Sequence, residues 1–136
     1  MGFEEIAHTA DWALRVWADD LERLFAEAAQ GMNALSGARL ARGPRTRRTL
    51  SLSAPDAESL LVAFLSELVY AAEQEQLAFT SFQVRTLERS DGWTLEAEME
   101  GAPILSINKS IKAVTYHNLQ TRQTARGYEV EIVFDV

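Results

Sequence analysis

No cysteine occurs anywhere in the 136 residues. Disulfides, thiolate zinc sites and cysteine nucleophiles are therefore excluded, and any metal must rest on oxygen and imidazole donors, which favours hard cations over zinc. Imidazole is itself scarce, with only His8 and His117. No apolar run approaches the roughly 20 residues of a membrane span, and the start "MGFEEIAHTAD" is acidic where a secretion signal would be basic and then apolar. These absences lead us to expect a soluble, cytoplasmic protein with no membrane contact. Basic charge is also short: 13 Lys and Arg against 20 Asp and Glu leave a net charge of -7. Non-specific nucleic-acid affinity comes mainly from cations that neutralise phosphates, so RNA is expected to be held only indirectly, through a partner. The glycines stand singly, with no glycine-rich phosphate loop.

What is present suits one domain over residues 1–136, with 47% hydrophobic residues to build a core. An extended start (Phe3 to Ile6) leads to "WALRVWA", whose alternation sets Trp12, Leu14 and Val16 against Ala13, Arg15 and Trp17 and predicts a strand. Asp19 and Glu22 have capping-box spacing, and Leu21, Leu24, Phe25, Ala28, Met32 and Leu35 repeat at helical intervals before Gly37. "TRRTLSLSA" alternates again as a strand. "PDAESLLVAFLSELVYAAEQEQ", opened by Pro55 with Ser53 or Asp56 as cap, predicts the most buried helix. Strands are expected over 79–89, 93–101, 111–123 and 127–136, with Asp91-Gly92 turning the first two into a hairpin. The order predicts an α+β fold, two helices packed on mainly antiparallel β-sheet. One segment breaks the acidic trend: "RLARGPRTRR" (39–48) carries five arginines and no acid, and reads either as a solvated linker or as a docking patch for an acidic partner or phosphate.

Candidate chemistry gathers at three places. "AHTAD" sets His8, a hydroxyl and Asp11 just ahead of a strand, where functional side chains are commonly displayed, although Asp11 reads equally as a turn residue. In "IKAVTYHNL", alternation puts Lys112 on the face opposite His117; a lysine there is either solvated or held by a nearby anion. In "YEVEIVFDV", Tyr128, Val130, Ile132 and Phe134 form the apolar face, while Asp135 points away beside the carboxylate of Val136. If these segments meet, Asp11, Asp135 and Val136 offer oxygen donors suited to calcium or magnesium, with Lys112 balancing the charge. A Ser-His-Asp enzyme is disfavoured for want of a nucleophile elbow.

The stretches "HTAD", "LERLFAEAAQGMNAL", "LLVAFLSELVYAAEQEQLAF", "IKAVTYHNL" and the terminal "FDV" together make the chain resemble the archease family over nearly its whole length. The resemblance implies a non-catalytic activator of the GTP-dependent tRNA-splicing RNA ligase, which joins 3'-phosphate or 2',3'-cyclic phosphate ends to 5'-hydroxyl ends. It implies that the protein promotes ligase guanylylation and multiple turnover, with Asp11, Asp135 and Val136 as metal ligands and Lys112 functionally important. His8 is carried as a further contact. "GAPILSINKSI" (101–111) departs from the family by being short and lacking the acid and histidine expected there, so no ligand is assigned to it. Two alternatives stand beside this expectation: a chaperone-like modulator of RNA methyltransferases, and a small metal-dependent hydrolase using Asp11, Asp135 and His8.

Overall fold

A computed structural model of the chain describes residues 1–6 and 12–136, so that His8 and Asp11 lie outside the described residues. The alternating segments become strands and the 3.6-period segments helices. In chain order these are β1 (Gly2–Ile6), β2 (Trp12–Ala18), α1 (Leu21–Ser36), β3 (Arg39–Leu40), β4 (Thr46–Ala54), α2 (Ala57–Glu75), β5 (Leu77–Arg89), β6 (Gly92–Ser106), β7 (Ala113–Val114), β8 (Arg122–Thr124) and β9 (Gly127–Asp135). Among the described residues every strand pair is antiparallel. The strands form two sheets. One has β2 and β9 at its centre, with β1, β7 and β8 beside them; the other has β6 at its centre, paired with β3, β4 and β5. The expected α+β class, two helices on antiparallel sheet, is what the chain adopts.

The helices are closed by local chemistry. Asp56, just after Pro55, is the N-cap of α2, and its carboxylate accepts a hydrogen bond from the Ser59 N–H at 2.7 Å. That bond holds the Asp56 carboxyl below its ordinary value of 3.8. A group whose pKa is lower folded than unfolded adds stability above its unfolded pKa and loses it as pH falls through the folded one. We therefore expect Asp56→Ala to cost about 1 kcal/mol at neutral pH. The gap between the two proteins should close below pH 3.8, as followed by denaturant melts across pH. At the other helix the cap is Asp20, whose carboxylate accepts from the Arg23 N–H at 2.8 Å, not Asp19 as the capping-box spacing suggested. Glu22 turns away from its own helix end and accepts the Thr86 N–H of β5 at 2.7 Å. Gly37, at φ 66, ends α1 in the left-handed conformation that glycine adopts without strain.

One apolar core joins both sheets through the helices. Leu14, Val16, Ile132 and Phe134 come from the first sheet, Leu24, Phe25 and Ala28 from α1, Leu60, Phe64 and Leu65 from α2, and Leu95, Ala97 and Met99 from the second. Phe64 stacks on Phe25 at 6.1 Å between ring centres and meets Phe82 edge-on at 6.2 Å. Truncating such a ring costs about 3–5 kcal/mol, whereas exposed pairs such as Arg47 with Glu100 or Arg48 with Glu75 are screened by solvent and contribute little. The core decides the fold, and the ion pairs trim it. Gly101 serves the same packing: a Cβ there would run into the Ala78 carbonyl oxygen and the Phe79 backbone, beside the irregularity between Phe79 and Ser81. Gly101→Ala is expected to cost about 1–3 kcal/mol in urea unfolding.

Three expectations are corrected. The strand expected over 111–123 is only Ala113–Val114 and, later, Arg122–Thr124. Between them Thr115 turns its hydroxyl onto the Val133 carbonyl at 3.0 Å, Leu119 N–H closes a turn onto the Tyr116 carbonyl, and Asn118 takes φ 51. Turn chemistry thus overrides the β-branched composition, and the opposition of Lys112 and His117 across one strand does not apply. Next, β6 continues to Ser106, so the first half of 101–111 is ladder and not loop. Finally, the arginine-rich stretch is not a free linker throughout: Arg39–Leu40 pairs with β6, and Arg47 and Arg48 lie in β4, paired with Glu100 and Glu75.

Candidate functional site

The C-terminal end of β9 is built into the middle of its sheet, not along an edge. Phe134 faces Trp12 of β2 on one side and Val114 of β7 on the other, and Asp135 is opposite Ala113. The β2 side matters because Trp12 directly follows Asp11 in the chain. The apolar alternation explains the placement: Ile132 and Phe134 are fully buried and fix β9, which leaves Asp135 exposed one residue later.

The segment before β7 closes over this end. Lys112 N–H donates to the Asp135 backbone carbonyl at 2.8 Å, and Thr115 donates both its N–H and its hydroxyl to the Val133 carbonyl at 3.0 Å. Lys109 sits with its ammonium 4.0 Å from the centre of the Trp12 ring, a contact worth about 0.5–1 kcal/mol at an exposed site. Residues 109–115 are thereby pinned to both β2 and β9. The Lys112 backbone thus lies beside Asp135, and the Lys109 ammonium lies on the ring of the neighbouring strand.

Lys112 and Asp135 are brought together through the backbone, and among the described residues their side chains form no ion pair. Both side chains are exposed and project from adjacent main chain. Val136 follows Asp135 and packs its apolar part against the core. His117 lies in the turn beyond β7, with Nε2 3.3 Å from the Asn118 side-chain nitrogen. Among the described residues no three His, Asp or Glu side chains gather as a ready cluster of metal ligands. Of the expected ligands, Asp135 and Val136 stand at this end of β9, while His8 and Asp11 lie outside the described residues.

Alternation could not reveal Lys109, because its role comes from a ring nearly a hundred residues upstream. Nor could it reveal a second feature of Lys112. This residue also lines, with Met32, Leu68, Val69, Phe79 and Ile111, a mostly apolar cavity of about 230 Å³ between the two helices. No described helix is long and apolar enough to cross a membrane.

Comparison with known proteins agrees with this architecture. The model of the Archease protein family (MTH1598/TM1083) matches residues 3–136. The archease of Methanosarcina mazei is 34% identical over 140 residues, covering 98% of this chain and 95% of its own. That of Methanopyrus kandleri is 33% identical, covering 100% of both. The solution structure of protein 1598 of Methanobacterium thermoautotrophicum superposes with a TM-score of 0.80 at 27% identity, over 99% of each chain. The crystal structure of a Thermotoga maritima archease, described as a possible chaperone, shares the fold at a TM-score of 0.70 and 21% identity, over 98% of this chain and 96% of its own. The chain belongs to the archease family.

Proposed function

We propose that this protein is a non-catalytic accessory factor that activates the GTP-dependent tRNA-splicing RNA ligase, promoting its guanylylation and its multiple turnover. The supporting observation is that the two most specific stretches of the chain, "KAVTYH" and "FDV", meet as neighbours. Ala113 pairs with Asp135, and the Lys112 N–H is bonded to the Asp135 carbonyl. Sequence separation does not require that contact. It sets a cation and a carboxylate at one exposed end of the sheet, where a partner can reach both.

In this reading the carboxylates of Asp11, Asp135 and Val136 hold a calcium or magnesium ion, with His8 as a further contact. When bound, the ion supplies an electrostatic clamp for phosphate oxygens. The chain's own residues do the rest. The ladder between β2, β9 and β7 fixes the Asp135 main chain, so the carboxylate is presented with little freedom to lose on binding. Lys112, tethered at its N–H, offers an ammonium to a phosphate or acidic side chain of the ligase. Lys109 is held back by Trp12. RNA is contacted through the ligase, in keeping with the charge of -7.

The direct test is to add the purified protein to a ligase from the same organism and follow guanylylation and multiple-turnover joining. Stimulation of both is expected. A ligase that turns over equally well without the protein rules the proposal out. One observation favours a second reading: the Thermotoga relative is described as a possible chaperone. Capture from lysate separates the two, since recovery of an RNA methyltransferase without the ligase favours a chaperone-like role.

A further inference from the structure

The second sheet has two outer strands, β5 and β4, and the helices leave them in different states. Along β5, three side chains of α1 close the open edge. Asn33 donates to the Phe79 carbonyl, Gln30 donates to the Thr80 carbonyl at 2.6 Å, and Glu22 accepts the Thr86 N–H at 2.7 Å. Along β4 nothing comparable occurs. Among the described residues, its only backbone partners are in β6.

The direction of the unused groups follows from register. Thr86 turns its N–H away from β6, so Leu95, its opposite residue, turns its own backbone groups toward β4, where it faces Leu52. By alternation Leu50 and Leu52 bond to β6, while Arg47, Thr49, Ser51 and Ser53 aim N–H and C=O outward. This edge is nine residues long, without an internal proline and without a register shift against β6. Lysines, prolines and bulges are the usual protection of an edge, and none is present here. The only charges are Arg47 and Arg48 at one end, both already paired within the chain. On the inner face Leu50 and Leu52 remain only half-buried.

We infer that a second copy of this chain pairs along β4, antiparallel, about a two-fold axis through Leu50. In that register Thr49 faces Ser51 of the other copy and Arg47 faces Ser53, so the outward groups match in about eight hydrogen bonds. Leu50 meets Leu50, and Leu52 covers the stem of Arg48. The arrangement is consistent in charge. The two Arg47 residues lie six positions apart along the ladder, about 20 Å at 3.3 Å per residue, beyond the screening length of about 8 Å in physiological salt. A parallel pairing would set arginine beside arginine. The short hydroxyl side chains at 49, 51 and 53 leave the approach open. Two copies joined this way share one continuous sheet, with α2 of each copy on its inner face.

Sedimentation equilibrium of the full chain from about 1 μM to about 1 mM should show the mass rising from one copy to two. Ser51→Pro removes an outward N–H and leaves the β6 ladder intact, and this variant should stay monomeric with an unchanged far-UV spectrum. Should Ser51→Pro not fold, amide exchange of the unmodified chain decides. The Thr49, Ser51 and Ser53 amides should slow as concentration rises, while Leu50 and Leu52 stay protected throughout. A monomer at every concentration, or exchange at these amides that ignores concentration, overturns the inference. So does slowing that appears only when the ligase is added, which would assign the edge to a different partner. This outcome is independent of ligase activation, since neither reading needs the other.

Discussion

Replacing Asp135 by alanine is expected to abolish ligase stimulation while leaving the fold as stable as before. Asp135 is exposed, and its contribution to the sheet is made by backbone, with Ala113 opposite it and the Lys112 N–H on its carbonyl. Alanine keeps both. A change at such a position typically alters stability by no more than about 0.5 kcal/mol. The proposed metal site would lose a carboxylate outright, and even outer-shell changes typically cost about 10–100-fold in metal affinity or activity. Calcium or magnesium titration by calorimetry should therefore show affinity weakened by more than about 100-fold, and the guanylylation time course should match that of the ligase alone. Glu131→Ala is the matched control. It is exposed on the same face of β9, within reach of Arg15, and should change neither measurement. Full stimulation by Asp135→Ala would remove the carboxylate from the mechanism.

The neighbouring residue should behave in the opposite way. Phe134→Ala is expected to cost about 3–5 kcal/mol, because the ring is fully buried and among the largest side chains of the core. Against a total of about 5–15 kcal/mol this is a large share, and the melting temperature should fall by more than about 10 °C. The loss is not only thermodynamic. Phe134 faces both Trp12 and Val114, so β2, β9 and β7 are registered at this one residue. Its removal should loosen the main chain on either side of Asp135 and weaken metal binding at temperatures where the variant is still folded. Thermal melts with and without calcium separate the two effects. Adjacent residues of one strand would then report different things, one the site and the other the frame that holds it.

Most of the frame was legible in the sequence because burial is periodic. β4 alternates cleanly and begins and ends where "TRRTLSLSA" does, while β2 and β9 alternate except that Ala13 and Val133, on the face expected to point away, are buried too. The two helical stripes are equally plain. The failures share a cause, which is that the deciding partner is remote. Capping-box spacing points Glu22 at its own helix end, but its carboxylate accepts the Thr86 N–H, 64 residues away. Composition makes Arg47 and Arg48 part of a solvated or docking stretch, because spacing alone cannot place Glu100 and Glu75 opposite them. The segment 111–123 has strand-forming residues, yet the Thr115 hydroxyl and Asn118 bend it away after two residues.

The candidate site was legible to a different degree. The alternation of β9 put Asp135 outside the core, and it is exposed. The meeting of Lys112 with Asp135 rests on a contact across 23 residues, for which periodicity has no signal; only the resemblance of "KAVTYH" and "FDV" to archease motifs pointed there. Lys109 carried no signal at all, since its partner is an aromatic ring at the far end of the chain. His8 and Asp11 lie outside the described residues, and their part in the site stands as a proposal.

The central claim is that Asp11 and Asp135 share one divalent ion. A crystal structure of the chain grown with calcium tests it most directly, through the separation of these two carboxylates and the density between them. With metal–oxygen distances of about 2.3–2.6 Å, the account predicts a single ion bridging carboxylate oxygens no more than about 5 Å apart. Carboxylates held about 10 Å apart or more, each solvated and with no ion between them, would contradict it.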